Sequence, residues 1–306
     1  MRVLQVIPSM SMGGVERGVL EISTHLKEKG SQPFVLCSGG ALTEQLKANG
    51  IEVVIEPCLL SKNPINVFFV VPWKLLRIIK THGIHIVHAR SRTSAWSAWI
   101  ACRIAGTRFL TTHHGAYSLT KGFWKRAIAR PMLWGSFVVL PSSFLFSYVM
   151  MNQNLHVVDS TRSMSKGSSD PGQLTILTWK GWMVQTKAVI IPRGIDTSKF
   201  RLSEDNERLA ERFAMKWRAA DLSSTAKTVL LPGRVSRIKG QLDFIKALEK
   251  CGEIVNGVIL GMPVRPNRFS QMLVNETERL RNEAGLNLRL EEQVHPDEMP
   301  GALLCA

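Results

Sequence analysis

The residues best suited to bind a diphosphate lie in the segment Leu231–Gly240. Arg234 can donate hydrogen bonds to two oxygen atoms at once, whereas Lys239 provides a compact positive charge. Gly233 and Gly240 flank these cations and let a ligand approach the backbone. The types of these residues and their spacing in the sequence together predict a diphosphate-binding site. The alternative is that the glycines only form a turn and the cations are solvated, because a glycine-rich turn alone is a weak motif.

The sequence on either side predicts that this segment joins a strand to a helix. Thr228–Leu231 is a β-branched and apolar run, which is typical of a strand. From Gln241 onward, apolar residues recur at positions 242, 244, 245 and 248, which is helical spacing. Open α/β sheets bind ligands at the carboxyl ends of their strands. The free N–H groups and dipole of a helix N-terminus also stabilise an anion, by roughly 0.3–1 kcal/mol.

Three further groups of candidate residues each follow a predicted strand in the first half of the chain. These groups are Gly13 and Gly14, Arg90 and Arg92, and His113 and His114. Because the carboxyl ends of parallel strands lie along one edge of a sheet, we expect these loops to converge there. The glycines then predict backbone N–H groups facing a phosphate or a sugar, and His114 is the better candidate of the histidine pair. The alternatives are a tight turn, structural histidines and solvated arginines.

Length and composition indicate a globular protein of two domains, residues 1–195 and 196–306. Hydrophobic residues make up 45% of the 306 residues and charged residues 21%, which is enough for a buried core. Lys and Arg number 39 against 24 Asp and Glu, so the formal net charge is +15. Such a charge favours anionic partners, namely nucleic acid, an acidic membrane or phosphorylated substrates.

The sequence lacks the patterns of several common nucleotide-binding motifs, of zinc sites and of secretory signals. Residues 13–18 do not form GxGxxG and GxxxxGK[ST] does not occur, which argues against a dinucleotide fingerprint and a P-loop. The five cysteines are far apart and lack zinc-site spacing, so we expect buried thiols in a reducing compartment. Residues 3–7 are too short for the apolar core of a secretory signal, and we expect none.

Strands alternate with helices along the first domain, which predicts a doubly wound parallel α/β sheet. The predicted strands are Val3–Ile7, Pro33–Cys37, Glu52–Glu56, Ile84–His88 and Arg108–Thr112. In the second domain a helix at Asp205–Ala219 precedes three strands and their helices, which is short for a Rossmann-like sheet.

Two segments of the first domain interrupt this alternation. The uncharged window Met132–Met151 is long enough for a transmembrane helix, but a strand, a turn and a helix fit it better because Gly135 and Pro141 lie inside it. Residues 152–187 predict a long loop or a disordered insertion, because 160–172 is polar and rich in turn-forming residues.

Five segments carry a resemblance to a known family. They are Gly13–Arg17, Thr111–Tyr117, Val189–Phe200, Gly233–Gly240 and Asp297–Pro300, and they occur in the family's order over nearly the whole chain. On these segments the chain resembles the retaining glycosyltransferases of family 4. It looks most like the members that act in bacterial envelope polysaccharide and lipopolysaccharide core synthesis.

The resemblance implies a GT-B architecture, in which two Rossmann-like domains face a cleft, the first binding the acceptor and the second the nucleotide-sugar. It also implies the roles of three catalytic residues. Arg234 and Lys239 would bind the donor diphosphate, and His114 would contact the donor sugar near the reacting carbon. No metal or other cofactor is implied. Gly13 and Gly14 would line the cleft from the first domain. The full set of predicted substrate-binding residues is Gly13, Gly14, Glu16, Arg90, Arg92, His113, Gly233 and Gly240.

Two features depart from the family pattern. Family members continue past the Asp297–Pro300 segment to a Glu-x7-Glu motif that binds the nucleotide ribose and the sugar, and this sequence ends before it. Residues 152–187 also do not resemble the short helix and turn of the family. We therefore expect an incomplete second domain, and an inactive truncated remnant is an alternative to an active enzyme.

The predicted function is the transfer of a sugar from a UDP- or GDP-sugar to a lipid-linked or polysaccharide acceptor, with retention of configuration. The predicted location is the cytoplasm, or the cytoplasmic face of the inner membrane. Phe123–Arg126 and Trp134 are candidates for contact with an anionic membrane, the alternative being an ordinary helix packed on the sheet. Nucleic-acid binding is not favoured, because the charges are scattered and only two tyrosines occur.

Overall fold

The computed structural model describes residues 1–115, 128–153, 155–160, 174–179, 182–218, 226–251 and 255–306. The chain divides into two compact units, Met1–Arg193 and Gly194–Ala306. This division lies close to the boundary after residue 195 that the sequence predicts.

The first unit is built on a sheet of nine strands in the described residues. They are β1 (Arg2–Val6), β2 (Gln32–Cys37), β3 (Glu52–Ile55), β4 (Ile86–Ala89), β5 (Arg108–Thr112), β6 (Phe137–Leu140), β7 (Leu155–Ser160), β8 (Leu174–Trp179) and β9 (Trp182–Ile190). The spatial order is β3-β2-β1-β4-β5-β6-β9-β8-β7. The first seven strands in this order are parallel, and β8 and β7 continue the sheet antiparallel.

Helices cover both faces of this sheet. They are α1 (Gly14–Glu28), α2 (Thr43–Ala48), α3 (Val71–His82), α4 (Arg92–Ala105) and α5 (Ser143–Gln153). Short helical turns occur at Pro57–Leu60, Asn66–Val70 and Arg130–Leu133. Alternate residues of a strand point to opposite faces, so Phe34 and Leu36 pack in the core under α3 and α4. Val35 and Cys37 pack in a separate core with α1 and α2 residues.

Residues 152–187 are not a long loop, so that expectation is wrong for the part that the structure describes. Strands β7, β8 and β9 pair in a meander, and β9 also pairs in parallel with β6. Leu174–Trp179 and Trp182–Ile190 are rich in Thr, Val, Ile and Trp, which favour strands. The polar residues at 160–172 outweighed this signal in the prediction, and residues 161–173 lie outside the described residues.

The apolar window Met132–Met151 contains the end of a short helical turn, then β6 and α5, as the strand-turn-helix interpretation predicts. None of the helices in the described residues is both long and apolar enough to cross a membrane. All five cysteines are present as thiols. Cys251 is exposed, which contradicts the expectation that they are all buried.

The second unit contains a three-stranded parallel sheet in the order β10 (Lys227–Pro232), β11 (Val255–Met262) and β12 (Leu288–Glu292). Its helices are α6 (Glu204–Arg218), α7 (Gln241–Cys251), α8 (Arg268–Ala284) and α9 (Met299–Leu304). One core lies between the sheet and α7 and α8, and a second includes α6 and α9 residues. Asn267 and Ser270 form a capping box that starts α8.

Candidate functional site

In the second unit, the predicted strand, loop and helix are observed around the segment Leu231–Gly240. Strand β10 ends at Pro232, and α7 begins at Gln241. Gly240 has a φ of 75° and Gly233 a φ of 151°, backbone conformations that favour glycine. A short 3-10 turn, Arg237–Lys239, fills the loop between them. The glycines therefore let the loop turn sharply at both ends.

Arg234 and Lys239 are both exposed on this loop. Neither side chain has an ion-pair or hydrogen-bond partner in the part of the chain that the structure describes. The loop backbone beneath them is held in place, because Val235 is buried in the core against α7 and α8. Two cations on an anchored loop, just before a helix N-terminus, form an arrangement that can receive an anion.

Gln241 braces this loop and was missed by the sequence analysis. Its side chain is almost fully buried. Its Oε1 accepts a hydrogen bond from the N–H of Ser236 at 3.4 Å, and its Nε2 donates to the carbonyl of Arg234 at 3.4 Å. A glutamine at the first position of a helix, directly after the loop, is the only sequence signal for this role.

Gly261, at the end of β11, is a second residue that the sequence analysis did not select. A Cβ atom at this position would lie 2.5 Å from the carbonyl oxygen of Gly233, and its φ of 123° is strained for other residues. The N–H of Gly233 donates to the carbonyl of Leu260 at 2.8 Å. The end of β11 therefore packs closely against the loop that carries Arg234, and only glycine fits at position 261.

In the first unit, the three predicted groups of residues lie at the carboxyl edge of β1, β4 and β5. These strands are neighbours in the sheet, so the structure brings the groups to one edge as expected. The loop with Gly13 and Gly14 follows β1, Arg90 follows β4, and His113 and His114 follow β5. Arg92 begins α4 and is partly buried.

The N-terminus of α1 is occupied by the side chain of Glu16. Gly13 caps this helix without a side chain, and a Cβ atom there would lie 2.3 Å from Glu16 Oε2. A carboxylate at a helix N-terminus is electrostatically favourable. It also reduces the attraction of this terminus for a phosphate, while its oxygens can accept hydrogen bonds from hydroxyl groups. The backbone at Gly13 and Gly14 therefore suits a sugar better than a phosphate.

Arg90 is buried rather than solvated, with 4% of its surface exposed. Its Nε and Nη2 donate to Gln5 Oε1 at 3.0 and 2.5 Å, and its Nη1 lies 3.4 Å from Thr112 Oγ1. His88 Nε2 shares a hydrogen bond with the same Thr112 hydroxyl at 2.8 Å. No carboxylate pairs with Arg90 among the described residues, and burial lowers its pKa to about 9. Gln5, His88 and Thr112 were not selected from the sequence.

His113 and His114 differ in exposure. His113 is 1% exposed, and burial lowers its pKa to about 4. His114 is partly buried, and its Nε2 has no hydrogen-bond partner among the described residues. Burial, followed by the charges of Arg90 and Arg193, lowers the pKa of His114 to about 3. His114 is therefore neutral at physiological pH and has a nitrogen available for a hydrogen bond.

Arg193 joins this edge although the sequence analysis did not name it as a site residue. Its guanidinium donates to the carbonyl of Gly14 and lies 3.7 Å from the carboxylate of Glu21. A Cβ atom at Gly18 would be 3.0 Å from Arg193 Nη2, so a small residue there makes room for the guanidinium. The Val189–Phe200 segment contains Arg193, and this was the available signal. Arg90 and Arg193 thus place two positive charges at this edge, next to the neutral His114.

The buried histidines predict that the first unit loses stability in acid. His88, His113 and His114 have pKa values below 6.5 in the folded protein because they are buried, whereas the unfolded chain binds protons as the pH falls through 6.5. Their stabilising contribution is therefore present above pH 6.5 and is lost as the pH falls toward their folded pKa values. Each group contributes about 1.4 kcal/mol per pH unit in that range.

Urea unfolding at pH 7.5 and 5.5 measures this effect, and we expect the free energy of unfolding to fall by about 3–4 kcal/mol. Tryptophan fluorescence reports mainly on the first unit, because seven of the eight tryptophans precede residue 194. His114→Gln should reduce the pH dependence by about a third. Equal stability of the wild type at both pH values would contradict the prediction.

No metal-binding group of three or more His, Cys, Asp or Glu side chains is found in the described ranges.

A known family model matches part of the chain. Residues 12–151 match the model of glycosyltransferase family 4. No curated protein shows significant similarity to the chain.

Solved structures match nearly the whole chain. A glycosyltransferase from Rickettsia africae is 25% identical with a TM-score of 0.70, and the match covers 98% of this chain and 70% of that one. Anabaena HepE, crystallised with UDP and glucose, is 16% identical with a TM-score of 0.71 and coverages of 100% and 72%. Sucrose-phosphate synthase from Thermosynechococcus elongatus is 13% identical, with a TM-score of 0.68 and coverages of 100% and 73%. The α/β fold of the chain, with its parallel sheets, matches GT-B glycosyltransferase structures.

Proposed function

We propose that this chain transfers a sugar from a nucleotide-diphosphate donor with retention of configuration. The match to glycosyltransferase family 4 and the structural neighbours support a glycosyltransferase. The proposed donor is a UDP- or GDP-sugar, and the proposed acceptor is lipid-linked or a polysaccharide. Anabaena HepE, a structural neighbour, has been crystallised with UDP and glucose. The proposal extends this donor class to the present chain.

The observation that carries the proposal is the pair of exposed cations on the β10–α7 loop, Arg234 and Lys239, which have no ion-pair or hydrogen-bond partner among the described residues. Cleavage of a sugar–phosphate bond places negative charge on the leaving diphosphate. Cations and helix N–H groups that are already in position stabilise this charge in the transition state. We assign Arg234 to two diphosphate oxygens, because a guanidinium can donate two parallel hydrogen bonds. Lys239 supplies a second charge, and Gly233 and Gly240 allow close approach.

The first unit supplies groups for the sugars in this proposal. His114 is neutral and has an available nitrogen, so it can hydrogen-bond to a hydroxyl of the donor sugar near the reacting carbon. Glu16, at the N-terminus of α1, can accept hydrogen bonds from acceptor hydroxyls, with Gly13 and Gly14 leaving space beside it. His113, Arg90 and Arg92 lie along the same carboxyl edge of the sheet. The buried Arg90 acts mainly by positioning the strand ends through Gln5 and Thr112.

The biological role that we propose is the synthesis of a cell-envelope glycan on the cytoplasmic side of the membrane. Its basis is the resemblance of segments such as Val189–Phe200 and Gly233–Gly240 to family members that act on envelope polysaccharide and lipopolysaccharide core. The strongly basic composition suits acceptors held at an anionic surface.

Incubation of the purified chain with UDP-glucose and GDP-mannose tests the proposed donor chemistry. We expect one of them to bind and to release its sugar slowly to water when no acceptor is present. Proton NMR at early times should show the released sugar in the anomeric configuration of the donor. Binding without any release would point to a non-catalytic chain, and the opposite anomer would contradict retention. If neither donor class nor free UDP or GDP binds, the proposed function is wrong.

A further inference from the structure

A stripe of large apolar side chains is exposed on the first unit. Residues 64–82 form a continuous helical segment, in which the π-helical turn Asn66–Val70 leads into α3. Ile65, Phe69 and Trp73 follow one another at intervals of four residues along it, and 63%, 70% and 73% of their surfaces are exposed. Soluble proteins seldom expose large apolar residues side by side on successive turns of a helix without a binding function.

The opposite face of this helical segment fixes the direction of the stripe. Val67, Val71 and Leu75 are buried. The carbonyl of Val67 also accepts a hydrogen bond from Ser97 Oγ of α4 at 2.7 Å. Because this face is packed and hydrogen-bonded, the segment cannot rotate to bury the stripe. The exposure of Phe69 and Trp73 is thus a fixed property of the first unit.

Basic residues continue and flank the stripe. Arg77 and Lys80 are exposed on the next turns of α3, and Lys62 is exposed just before the helical segment. The nearest preceding carboxylate, Glu56, is already paired with Lys74 at 2.8 Å. Aromatic side chains bordered by cations are typical of protein surfaces that lie at a membrane interface.

The sequence around the stripe has an extreme charge bias. Between Pro57 and Val158 there are twelve Lys and Arg residues and no Asp or Glu, although the whole chain contains 24 acidic residues. This third of the chain therefore carries +12 of the formal net charge of +15. Protein partners generally present both signs of charge, whereas a surface of anionic lipid presents only one. Charge complementarity favours the lipid.

We propose that the stripe Ile65–Phe69–Trp73, with Lys62, Arg77 and Lys80 around it, docks the first unit on an anionic lipid bilayer. Phe69 and Trp73 enter the headgroup region, and the three cations contact lipid phosphates. This docking does not depend on the proposed sugar transfer, because it uses none of the donor or acceptor groups.

This surface differs from the one suggested by the sequence. Phe123–Arg126 lies outside the described residues. Trp134 packs against Trp96 and Trp99, with ring centroids 5.2 and 4.7 Å apart, so its ring belongs to an aromatic cluster. Phe68 extends this cluster from Trp96 to the helical segment that carries the stripe.

Sedimentation of the full chain with lipid vesicles, in the absence of nucleotide-sugar, tests the docking. One set of vesicles contains phosphatidylcholine alone, and the other also contains about 30% phosphatidylglycerol, which gives its surface a negative potential. We expect binding to the anionic vesicles that weakens as salt is raised. The double variant Phe69→Ser/Trp73→Ser should bind at least about tenfold more weakly, because two inserted aromatic rings are lost. Lys62→Glu/Arg77→Glu should remove the preference for phosphatidylglycerol.

Met215→Ser is the matched control, since Met215 is an exposed apolar residue on α6 of the second unit, 69% exposed. It should bind vesicles like the wild type, and all variants should retain the circular dichroism and nucleotide binding of the wild type. The proposal is wrong if the wild type does not bind anionic vesicles, or if the aromatic double variant binds them as well as the wild type does. It is also wrong if no vesicle binding occurs and the double variant instead converts a wild-type dimer to a monomer, because the stripe would then be a dimer interface. Strong binding to DNA in place of vesicles would likewise reject it.

Discussion

Replacement of Arg234 by alanine is expected to lower kcat/KM for sugar transfer or donor hydrolysis by about 10²–10³-fold, or about 2.7–4 kcal/mol. Lys239→Ala should have an effect of the same order. Both cations are exposed and have no partner among the described residues, so their removal leaves no buried group unsatisfied. The loss of kcat/KM therefore measures the lost contact with the ligand and not a change in the fold. Donor binding and steady-state rates of the purified variants measure it.

Arg237→Ala is the control from the same loop. Arg237 is also exposed, but its guanidinium lies over the ring of Phe269, 6.0 Å from the ring centre. We expect its replacement to change kcat/KM by only a few fold, because it lowers the positive electrostatic potential of the loop without removing a direct contact to the diphosphate. If Arg234→Ala and Arg237→Ala are equally active, the assignment of Arg234 to the diphosphate is wrong. Arg234→Lys should recover only part of the activity, because an ammonium group cannot donate the same pair of hydrogen bonds.

Replacement of His114 by alanine is expected to lower kcat/KM by about 5- to 150-fold, which corresponds to the loss of a hydrogen bond worth about 1–3 kcal/mol. The imidazole is neutral because burial and the nearby arginines hold its pKa at about 3. We therefore expect no inflection in the rate between pH 6 and 8 that is due to His114. Rates of His114→Ala and wild type across this range check both statements.

Two companion variants separate a site role of His114 from a structural one. His114→Gln keeps a hydrogen-bonding group and should recover part of the activity. His25→Gln changes an exposed histidine on α1 and should behave like the wild type. Activity of His114→Ala equal to that of the wild type would reject contact with the substrate, and loss of its circular dichroism signal would indicate a structural role.

The site in the second unit was largely predictable because its determinants are local. Thr228–Leu231 and the apolar positions after Gln241 fix a strand and a helix, and the loop between them contains the two cations. Gly240 has a positive φ that only the turn requires, so its residue type was informative. In the first unit, the convergence of His114 and Arg90 followed from the general geometry of parallel sheets.

The buried network around Arg90 could not be predicted, because its partners are distant in sequence. Gln5 lies 85 positions before Arg90, and Thr112 lies 22 positions after it. An arginine after a strand has the same local pattern whether it is solvated or buried. The close approach of Gly261 to Gly233 depends in the same way on the pairing of β10 with β11. Tertiary pairing, rather than residue type, decides these contacts.

The meander of β7, β8 and β9 was missed for a different reason. Its strands have suitable composition, but the turn-rich residues between β7 and β8 dominated the prediction. Antiparallel strands also break the alternation of strand and helix by which the rest of the first unit was recognised. Composition therefore suggested a loop where the pairing of neighbouring strands forms part of the sheet.

Isothermal titration of the wild-type chain with UDP, GDP, UMP and GMP in the presence of EDTA tests the central claim most directly. The claim is that Arg234 and Lys239 bind the diphosphate of the donor. We predict that UDP or GDP binds at least about tenfold more tightly than the matching monophosphate, a difference of about 1.4 kcal/mol. Equal affinities for the diphosphate and the monophosphate, or no binding of either nucleotide, would contradict it.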